Sequence, residues 1–520
     1  MPIVGIDLGT TNSCVAVCRD GRIEVLENCL GKRTTPTFMA ISPEGEWIFG
    51  EEAKDQATLN PSNTLFNMKR LIGREVTEKC IQNDKKYWPF KVVDDNGQLA
   101  VKLVVATHTR LYTIQEITAM FLKHMKKEAE TQLGESVEEA VITVPAYFND
   151  QQRSATIEAG RIAGLKVKQI INEPTAAGLA YEPESRSAER RMFLVYDLGG
   201  GTFDVSIIQS EGNSYEVKAT AGDAHLGGED FDEQLVKFCL EGVKSTLGTN
   251  VGEDPSSMQR LRTACEQAKR TLSTQWKASV ELEGPDEEHG YFRQITRTEF
   301  EELNAPLFER TMDVVRKTLE DASLRPDQID DVLLIGGSTR IPKIQEMLRR
   351  FFRREILNKG VNPDEAVAYG AAKYAAGLAP HGPASPPLIF LKDVLSFSLG
   401  LEISGGKMDV VIQKNTTVPV TKTRLYRTTN NDQTNVLITM YEGENELARD
   451  NRKLGEFRLI GITPRPKGQV RIEVEFNVDE NGVLHVGARE QEGKVQKEIT
   501  VNTCLNRLTD EEIERLQKGL

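Results

Sequence analysis

The chain has 520 residues, too many for a single hydrophobic core, and roughly two to four domains are expected. Its 65 lysines and arginines against 78 aspartates and glutamates give a formal net charge of −13, which argues against non-specific binding to nucleic acid or to an anionic membrane. The sequence shows no signal peptide and no apolar run near the roughly 20 residues of a membrane span, so the cytoplasm is the expected compartment. The seven cysteines are dispersed without a C-x-x-C pair, which predicts free thiols and no zinc site.

The first 50 residues predict strands joined by tight turns. Residues 15–18 and 23–26 flank Asp20-Gly21, which is a hairpin pattern. Ahead of the hairpin, Ile6-Asp7-Leu8-Gly9-Thr10-Thr11 runs from a strand into an acid, a glycine and two threonines. Glycine lets backbone N–H groups approach an anion, and hydroxyls and carboxylates are hard oxygen ligands for magnesium or its water shell.

The next elements predict an α/β architecture. Residues 113–133 have the pattern of an amphipathic helix that begins at a capping box of Thr113 and Glu116. A buried strand over 140–144 ends at Pro145, and Asn149 or Asp150 caps the following helix. Strands and helices alternate in this way in mostly parallel sheets covered by helical layers.

A second glycine-rich stretch repeats the first. Residues 195–204 run from a buried strand into Asp197, three glycines, Thr202 and Asp204, and Asp197 lies 190 residues after Asp7 (197 − 7). The strand and helix order also repeats, up to a strand over 332–335. The first 380 residues therefore predict two related lobes whose glycine-rich turns face each other across a nucleoside triphosphate. Two ordinary glycine-rich hairpins are the alternative.

The residues of these turns suit phosphoryl transfer to water, which needs aligned phosphates, a cation and a positioned water. Asp7 and Asp197 are candidates for holding Mg²⁺ through its water shell. Lys69 is a candidate for orienting the attacking water, with a surface lysine as the alternative. Glu173 is a candidate base or water-positioning group, with an ordinary first-turn helix acid as the alternative. The candidates for cradling the phosphates are Thr10, Thr11 and Thr202.

The second lobe offers residues for an adenosine. Gly336-Gly337-Ser338-Thr339-Arg340 places glycine and a planar cation directly after a buried strand. Arg270 and Arg340 could sandwich an adenine, because guanidinium planes stack on π faces. Arg270 lies on a predicted helical stripe with Glu266, Lys269 and Ser273. A solvated, charged helix face is the alternative explanation of this stripe.

Composition changes after the two lobes. Residues 379–387 are rich in proline and predict a linker, and the apolar tetrad Leu388-Ile389-Phe390-Leu391 that follows is expected to dock against the protein. From residue 395 the apolar period becomes two, which predicts an antiparallel β module of roughly 110 residues. Thr509 and Glu512 form a capping box that starts a last helix.

The chain resembles the heat-shock protein 70 (DnaK-type) chaperone family over essentially all of residues 3–515. The motifs that carry the resemblance stand in order along the chain and precede the β module. They are Gly5-Ile6-Asp7-Leu8-Gly9-Thr10-Thr11, Val144-Pro145-Ala146-Tyr147-Phe148-Asn149, Asn172-Glu173-Pro174-Thr175-Ala176-Ala177, Asp197-Leu198-Gly199-Gly200-Gly201-Thr202-Phe203-Asp204, His225-Leu226-Gly227-Gly228-Glu229-Asp230-Phe231-Asp232, Gly336-Gly337-Ser338-Thr339-Arg340-Ile341-Pro342 and Asn362-Pro363-Asp364-Glu365-Ala366-Val367-Ala368.

The resemblance implies an α/β actin-like two-lobed ATPase domain over residues 1–380, with potassium beside the magnesium nucleotide. Catalytic and metal-associated positions would be Asp7, Lys69, Glu173, Asp197 and Asp204, with Asp204 and Thr202 beside K⁺. The remaining residues that would contact ATP or ADP are Gly9, Thr10, Thr11, Asn12, Gly199, Gly200, Gly201, Glu266, Lys269, Arg270, Ser273, Gly336, Gly337, Ser338, Arg340 and Asp364.

The resemblance also implies a linker over 381–394, an all-β peptide-binding sandwich over 395–505 and the start of a helical lid over 506–520. The groove would hold extended apolar segments of unfolded proteins, and it would be lined by Leu399, Leu401, Ile403, Ser404, Tyr426, Thr429, Val436 and Ile438. Coupling between the domains would run through Pro145, Arg153, Leu391 and Asp393. The implied protein partners are a J-domain co-chaperone and a nucleotide exchange factor, without nucleic acid or membrane.

Three features depart from the family pattern. Ser404 and Thr429 stand where larger apolar residues often close an arch over the peptide. Lys392 interrupts the linker's usual run of leucines, and Pro386-Pro387 stiffens the approach to it. Only the first turns of the helical lid, over 506–520, are expected from this sequence. Two other functions stay open: a nucleotide-dependent regulator or exchange partner with little hydrolysis of its own, and a small-molecule kinase of the actin and sugar-kinase superfamily.

Overall fold

The computed structural model describes residues 2–85, 88–95, 97–105, 108–181, 190–247, 254–283, 290–355, 357, 360–379, 388–491, 501–502 and 508–519. Its helices are α1 Gly50–Asp55, α2 Lys79–Asp84, α3 Ile114–Leu133, α4 Asp150–Ile162, α5 Glu173–Ala180, α6 Gly228–Leu247, α7 Pro255–Leu272, α8 Arg297–Asp321, α9 Pro342–Phe352, α10 Ala366–Leu378 and α11 Asp510–Gly519. Within this described part of the chain, no helix is both long and apolar enough to span a membrane.

The strands follow in chain order. They are β1 Ile3–Asp7, β2 Asn12–Arg19, β3 Arg22–Val25, β4 Thr35–Pro36, β5 Met39–Ile41, β6 Trp47–Phe49, β7 Thr64–Leu65, β8 Lys91–Asp95, β9 Gln98–Val105, β10 His108–Thr113, β11 Glu139–Val144, β12 Lys166–Asn172, β13 Arg191–Leu198, β14 Phe203–Glu211, β15 Ser214–Asp223, β16 Lys277–Leu282, β17 Tyr291–Thr296, β18 Asp331–Ile335, β19 Phe390–Val394, β20 Leu399–Ile403, β21 Lys407–Ile412, β22 Thr417–Val418, β23 Val420–Arg427, β24 Asn435–Glu442, β25 Arg452–Ile460, β26 Arg471–Val478, β27 Leu484–Glu490 and β28 Val501–Asn502.

Two mixed sheets organise the N-terminal part of the chain. The first has the order β12-β11-β1-β2-β3, and the second has the order β18-β13-β14-β15-β19-β22. β1 pairs parallel with β11 but antiparallel with β2, and β13 pairs parallel with β18 but antiparallel with β14. The expectation of mostly parallel sheets was therefore wrong. Tight turns such as Asp20-Gly21, both with positive φ, return the chain beside itself, and only antiparallel strands can be joined in this way.

The predicted helix starts are confirmed. Thr113 and Glu116 form the capping box of α3, and Asn149 caps α4 in a second box with Gln152. Because Asn149 is the cap, the carboxylate of Asp150 is available for another partner. It accepts a hydrogen bond from the backbone N–H of Leu484, at 2.7 Å, and this contact joins α4 to β27.

The linker tetrad docks, but only on one face. Residues 381–387, including Pro386-Pro387, lie outside the described residues. β19 pairs parallel with β15, and Ile389 and Leu391 pack against the apolar core beneath the second sheet. The prediction that this segment docks is confirmed, although Leu388 and Phe390 are 42% and 61% exposed. Successive side chains of a strand point to opposite faces, so alternate residues remain in solvent.

The β module, defined here as residues 395–491 and 501–502, contains two antiparallel sheets that share one core. Their orders are β21-β20-β24-β25 and β23-β26-β27-β28. The predicted alternation is confirmed in β26, where each second residue is buried. It fails in β20, where Leu399, Gly400 and Leu401 are all buried and a bulge shifts the register between Leu399 and Gly400.

The last helix packs on the N-terminal part. Thr509 and Glu512 form the predicted capping box of α11. Ile513 of this helix is buried in the same core as α4, and Arg161 of α4 pairs with Asp510 at 2.6 Å.

Candidate functional site

Four acids lie where the two sheets meet. Asp7 is the last residue of β1, and Asp197 and Asp204 are direct cross-strand partners on β13 and β14. Glu173 is the first residue of α5. Asp197, Asp204 and Glu173 are buried, and each of the four carboxyl groups is close enough to influence the charge of another. The structure thus brings the three acids of the two repeated stretches together with Glu173.

Lys69 belongs to this cluster. It lies in the 3₁₀ turn Met68–Arg70, is only 7% exposed, and its Nζ donates a hydrogen bond to Oε1 of Glu173. The alternative of a surface lysine is therefore wrong. Glu173 does lie in the first turn of a helix, but it is buried and paired with Lys69. Lysine and glutamate are rarely buried unless they are paired, and a buried pair contributes little to stability.

The cluster carries excess negative charge. Burial, together with the charge of Glu173, raises the pKa of Asp7 to about 7 and that of Asp204 to about 8. Burial and the neighbouring acids Glu173, Asp204 and Asp7 raise the pKa of Asp197 well above its ordinary value. Four carboxyl groups beside one ammonium group suit a cation with oxygen ligands. Across the described residues, no three acid, histidine or cysteine side chains form a cluster that could hold a bare metal ion.

The two glycine-rich turns touch each other. A Cβ on Gly200 would lie 1.9 Å from Oγ1 of Thr11, and a Cβ on Gly201 would lie 2.6 Å from Cγ2 of Thr10. Thr10 and Thr202 are buried, while Asn12 at the start of β2 is exposed. Gly9 also has no room for a side chain, because its Cβ would lie 1.9 Å from the carbonyl oxygen of Asn12. Gly200 and Gly201 therefore leave room for the threonine side chains of the other turn, and Gly9 leaves room for the backbone of its own turn.

The predicted adenosine residues adjoin the second turn. Ser338 Oγ donates a hydrogen bond to the carbonyl oxygen of Gly199 at 2.8 Å. Arg340 pairs with Asp364 through two hydrogen bonds of 2.9 and 2.7 Å, and the Arg340 side chain is about half exposed. Gly336 has φ +82° and Gly337 opens the following 3₁₀ turn.

The helix stripe predicted for the adenosine lies on α7. Glu266 lies 3.5 Å from Nζ of Lys54 and 3.8 Å from Nη1 of Arg270, whose side chain is largely exposed. Lys269 donates to Asp232 at 2.6 Å and to the carbonyl oxygen of Gly228 at 2.9 Å. Ser273 caps the C-terminus of the helix. These residues share one face, as the spacing predicted.

Contacts between the two sheet regions were missed from the sequence. Arg70 pairs with Asp230 and donates to the carbonyl oxygen of Gly201 at 3.2 Å. Asn67 donates to Glu229, and Glu229 lies 3.5 Å from the hydroxyl of Thr11. Glu229 and Asp230 belong to the motif over residues 225–232. A motif does not reveal a partner that is about 160 residues away in the chain.

Two of the predicted coupling residues, Arg153 and Asp393, share Asn172 as a partner. Asp393 of β19 accepts hydrogen bonds from Asn172 Nδ2 at 3.0 Å and from Thr175 Oγ1 at 2.9 Å. Arg153 donates to Asn172 Oδ1 at 2.7 Å and to the carbonyl oxygens of Phe148, Ala146 and Asn481, so it joins α4 to the β module. The carbonyl oxygen of Pro145 accepts from the N–H of Phe148. Leu391 is the partner of Tyr215 in the docked strand pair.

Two ion pairs and one backbone hydrogen bond reinforce this interface, and none was predicted. Lys414 donates to Asp321 at 2.7 Å, and Arg452 pairs with Glu78 at 2.8 Å. The third is the bond between Leu484 and Asp150 described above. All three join residues far apart in the chain, whose proximity depends on how the β module sits on the N-terminal part.

A buried acid at this interface makes docking depend on pH. Glu442 lies 3.6 Å from Nε of Arg452 and faces Asp150 and Arg153 of α4. Burial raises the pKa of Glu442 to about 7. Because Asp150 and Arg153 face Glu442 from α4, we expect docking to take up a proton. Protonation of Glu442 is therefore expected to stabilise the docked form fully at low pH, and this stabilisation is expected to be lost as the pH rises through 7.

We expect the docking equilibrium to fall roughly tenfold between pH 6 and pH 8. Energy transfer between one dye on the β module and one on the N-terminal part measures it. Glu442→Gln is expected to flatten this pH dependence, and an unchanged slope in that variant would contradict the assignment to Glu442.

The predicted groove residues separate into buried and exposed sets. Leu399, Leu401 and Ile438 are buried in the core of the β module. Tyr426 and Val436 are half-buried, and the Tyr426 hydroxyl donates to Asp409 at 2.7 Å. The remaining predicted residues, which are exposed, are Ile403, Ser404 and Thr429.

Comparisons with known proteins agree with this arrangement. Residues 3–519 of this chain match the family described as "Hsp70 protein". The heat shock 70 kDa protein of Neurospora crassa is 47% identical over 516 residues, which cover 99% of this chain and 80% of that protein. The match therefore includes both mixed sheets, the linker strand and the β module. The chain belongs to the Hsp70 family.

Proposed function

We propose that hydrolysis of ATP between the two mixed sheets is coupled, through the strand β19, to binding and release of extended apolar peptides by the β module. Membership of the Hsp70 family makes the chain an ATP-dependent molecular chaperone and an ATPase. One observation supports the proposed coupling. Asp393 of the linker strand accepts a hydrogen bond from Asn172, the residue directly before Glu173 of the acid cluster.

We assign the domains as the sequence suggested. Residues 1–380 would form an actin-like nucleotide-binding domain, 381–394 the linker and 395–505 the peptide-binding sandwich. The segment 506–520 would begin a helical lid, as expected for a DnaK-type member. The docked strand β19 and the shared core of the two β-module sheets support this division.

The ATP site would use the chain's residues as follows. Asp7 and Asp197 would hold Mg²⁺ through its water shell, and Asp204 with Thr202 would lie beside K⁺. Lys69 and Glu173 would orient the attacking water, because they form the buried pair in the cluster. When bound, the cations would offset the charge of the phosphates and of the acids. The backbone N–H groups of the two glycine-rich turns would hold the phosphates.

Gly200→Ala is expected to weaken ATP binding while the fold is retained. Its Cβ would lie 1.9 Å from Thr11 Oγ1, so the two turns must separate. Overpacking of this kind costs about 1–3 kcal/mol, which corresponds to roughly 5- to 150-fold in affinity. Isothermal titration with ATP measures the effect. Gly487→Ala is the matched control, because nothing lies within 4 Å of its Cβ; equal affinities of the two variants would contradict the prediction.

The β module would bind peptide in the manner of an added strand, with backbone hydrogen bonds and side-chain pockets. The exposed residues Ile403, Ser404 and Thr429 would lie at the groove, and Tyr426 and Val436 at its wall. Leu399, Leu401 and Ile438 would support its floor from the core. Small polar residues at Ser404 and Thr429 would clasp a peptide weakly.

We expect a J-domain co-chaperone and a nucleotide exchange factor as partners, and the cytoplasm as the compartment. The steady-state ATPase rate with and without an extended apolar peptide, and with a J-domain protein, tests the proposed function. Stimulation by peptide supports it. Binding of ATP with no hydrolysis under any of these conditions would instead indicate a regulator, and phosphorylation of glycerol or a sugar would indicate a kinase.

A further inference from the structure

A side-chain hydrogen bond bridges the edges of the two sheets of the β module. β21 begins one sheet order and β23 begins the other. The hydroxyl of Tyr426 on β23 donates to Oδ2 of Asp409 on β21, at 2.7 Å. Burial, and then this hydrogen bond, raise the pKa of Tyr426, so the hydroxyl stays protonated and Asp409 is the acceptor. An acid of one edge strand is therefore held beside an aromatic ring of the other.

The carboxyl group of Asp409 lies on the interior face of its sheet. Asp409 is the direct cross-strand partner of Leu401 on β20, and direct partners in an antiparallel pair share a face. Leu401 is buried in the core of the β module, and Tyr426 and Val436 pack against that core. All three belong to the predicted peptide groove. Asp409 was not predicted there, because the alternation that indicated the groove counts apolar residues, yet it is paired with one groove residue and bonded to another.

The second oxygen of Asp409 remains an open acceptor. Asp409 is half-buried, and no donor among the described residues bonds its Oδ1. Two cations on the same strands have other partners. Arg424 donates to the carbonyl oxygen of Val410 at 3.5 Å, and Lys407 pairs with Glu446 at 2.6 Å. Because a carboxylate oxygen has two lone pairs, Oδ1 is free to accept a hydrogen bond from a bound molecule.

We propose that Asp409 is a specificity-determining residue of the peptide groove, which favours a lysine or an arginine within the apolar segment of a bound peptide. The apolar stem of such a side chain lies along the Tyr426 ring, and its terminal group donates to Oδ1 of Asp409. Glutamate or aspartate at the same position is disfavoured by repulsion between like charges, and methionine offers no donor. The inference rests on the proposed function, because it assumes that the β module binds extended peptides.

Anisotropy titrations of the full chain with ADP bound measure this preference. The probes are fluorescent, leucine-rich peptides that differ only in one central residue, which is lysine, methionine or glutamate. Lysine and methionine are compared directly because both side chains are unbranched and similar in length. We expect the lysine peptide to bind more tightly than the methionine peptide, and the glutamate peptide to bind most weakly.

Asp409→Asn removes the charge but keeps the shape of the side chain and an acceptor for the Tyr426 hydroxyl. The ratio of the lysine and methionine affinities is expected to fall roughly five- to tenfold in this variant. Asp409→Glu keeps the charge and is expected to keep the preference for lysine. Glu456→Gln is the matched control, because Glu456 lies on β25 at the other edge of the same sheet and pairs with Lys453 at 2.9 Å. We expect the control to leave the ratio unchanged.

Three results would overturn the inference: a wild-type protein that does not prefer lysine to methionine, an unchanged ratio in Asp409→Asn, or an equal fall in Glu456→Gln. If Asp409→Asn binds neither peptide, Asp409→Glu decides, and loss of the lysine preference in that variant would overturn the inference as well. A wild-type protein that binds none of the three peptides would contradict the proposed function itself. The two failures are therefore distinguishable.

Discussion

Replacing Lys69 with alanine is expected to abolish most ATP turnover while ATP still binds. The Lys69 ammonium group is the buried positive partner of Glu173, and its loss leaves the acid cluster without that compensation. A group that orients the water and offsets charge only in the transition state contributes to kcat rather than to affinity. We expect kcat to fall by about 10²–10³-fold and the ATP dissociation constant to change less than about threefold.

Single-turnover hydrolysis and equilibrium titration together measure this split. Lys32→Ala is the control, because Lys32 forms an exposed ion pair with Glu51. Unchanged steady-state hydrolysis in Lys69→Ala would contradict the role given to the Lys69–Glu173 pair. A large loss of ATP binding with normal turnover of the remaining complex would assign Lys69 to binding instead.

Replacing Asp393 with alanine is expected to separate the two activities. Asp393 accepts hydrogen bonds from Asn172 and Thr175, and bonds to a charged group contribute about 1.5–3 kcal/mol each. Loss of both bonds should shift the docking equilibrium by at least about 100-fold toward the undocked form. Peptide should then bind the β module with ordinary affinity but no longer change the rate of ATP hydrolysis.

Peptide titration by fluorescence anisotropy and the peptide-stimulated ATPase rate report the two activities separately. Asp313→Ala serves as the control, since Asp313 is exposed and pairs with Arg316 on the same helix. If Asp393→Ala kept full stimulation by peptide, β19 would not be the route of coupling. A coupling free energy acts in both directions, so ATP should likewise lose its effect on peptide release.

The elements that bear the acid cluster were predictable because their signals are local. Apolar runs predicted the strands that end near Asp7 and Asp197. Capping boxes predicted the starts of α3 and α11, and a cap at Asn149 or Asp150 predicted the start of α4. The sequence around Lys69 did not decide its role, because that sequence is as compatible with a surface lysine as with a lysine that orients water. Its burial follows from the position of α5, which the local sequence does not specify.

The wrong prediction of parallel sheets and the features that were not predicted have physical causes. The sheets are mixed because tight turns and crossover helices both occur within them. Leu388 and Phe390 are exposed because the docked segment is a strand with two faces. Arg70–Asp230 and Arg452–Glu78 join residues distant in the chain, and a single sequence shows charges but not which of them meet.

The central claim is that the state of the nucleotide controls the β module through docking. The rate at which a bound fluorescent apolar peptide dissociates, measured in ATP and in ADP under the same conditions, tests it most directly. We predict that ATP accelerates dissociation at least tenfold over ADP, and that Asp393→Ala removes the difference. Equal dissociation rates of the wild-type protein in ATP and ADP would contradict the claim.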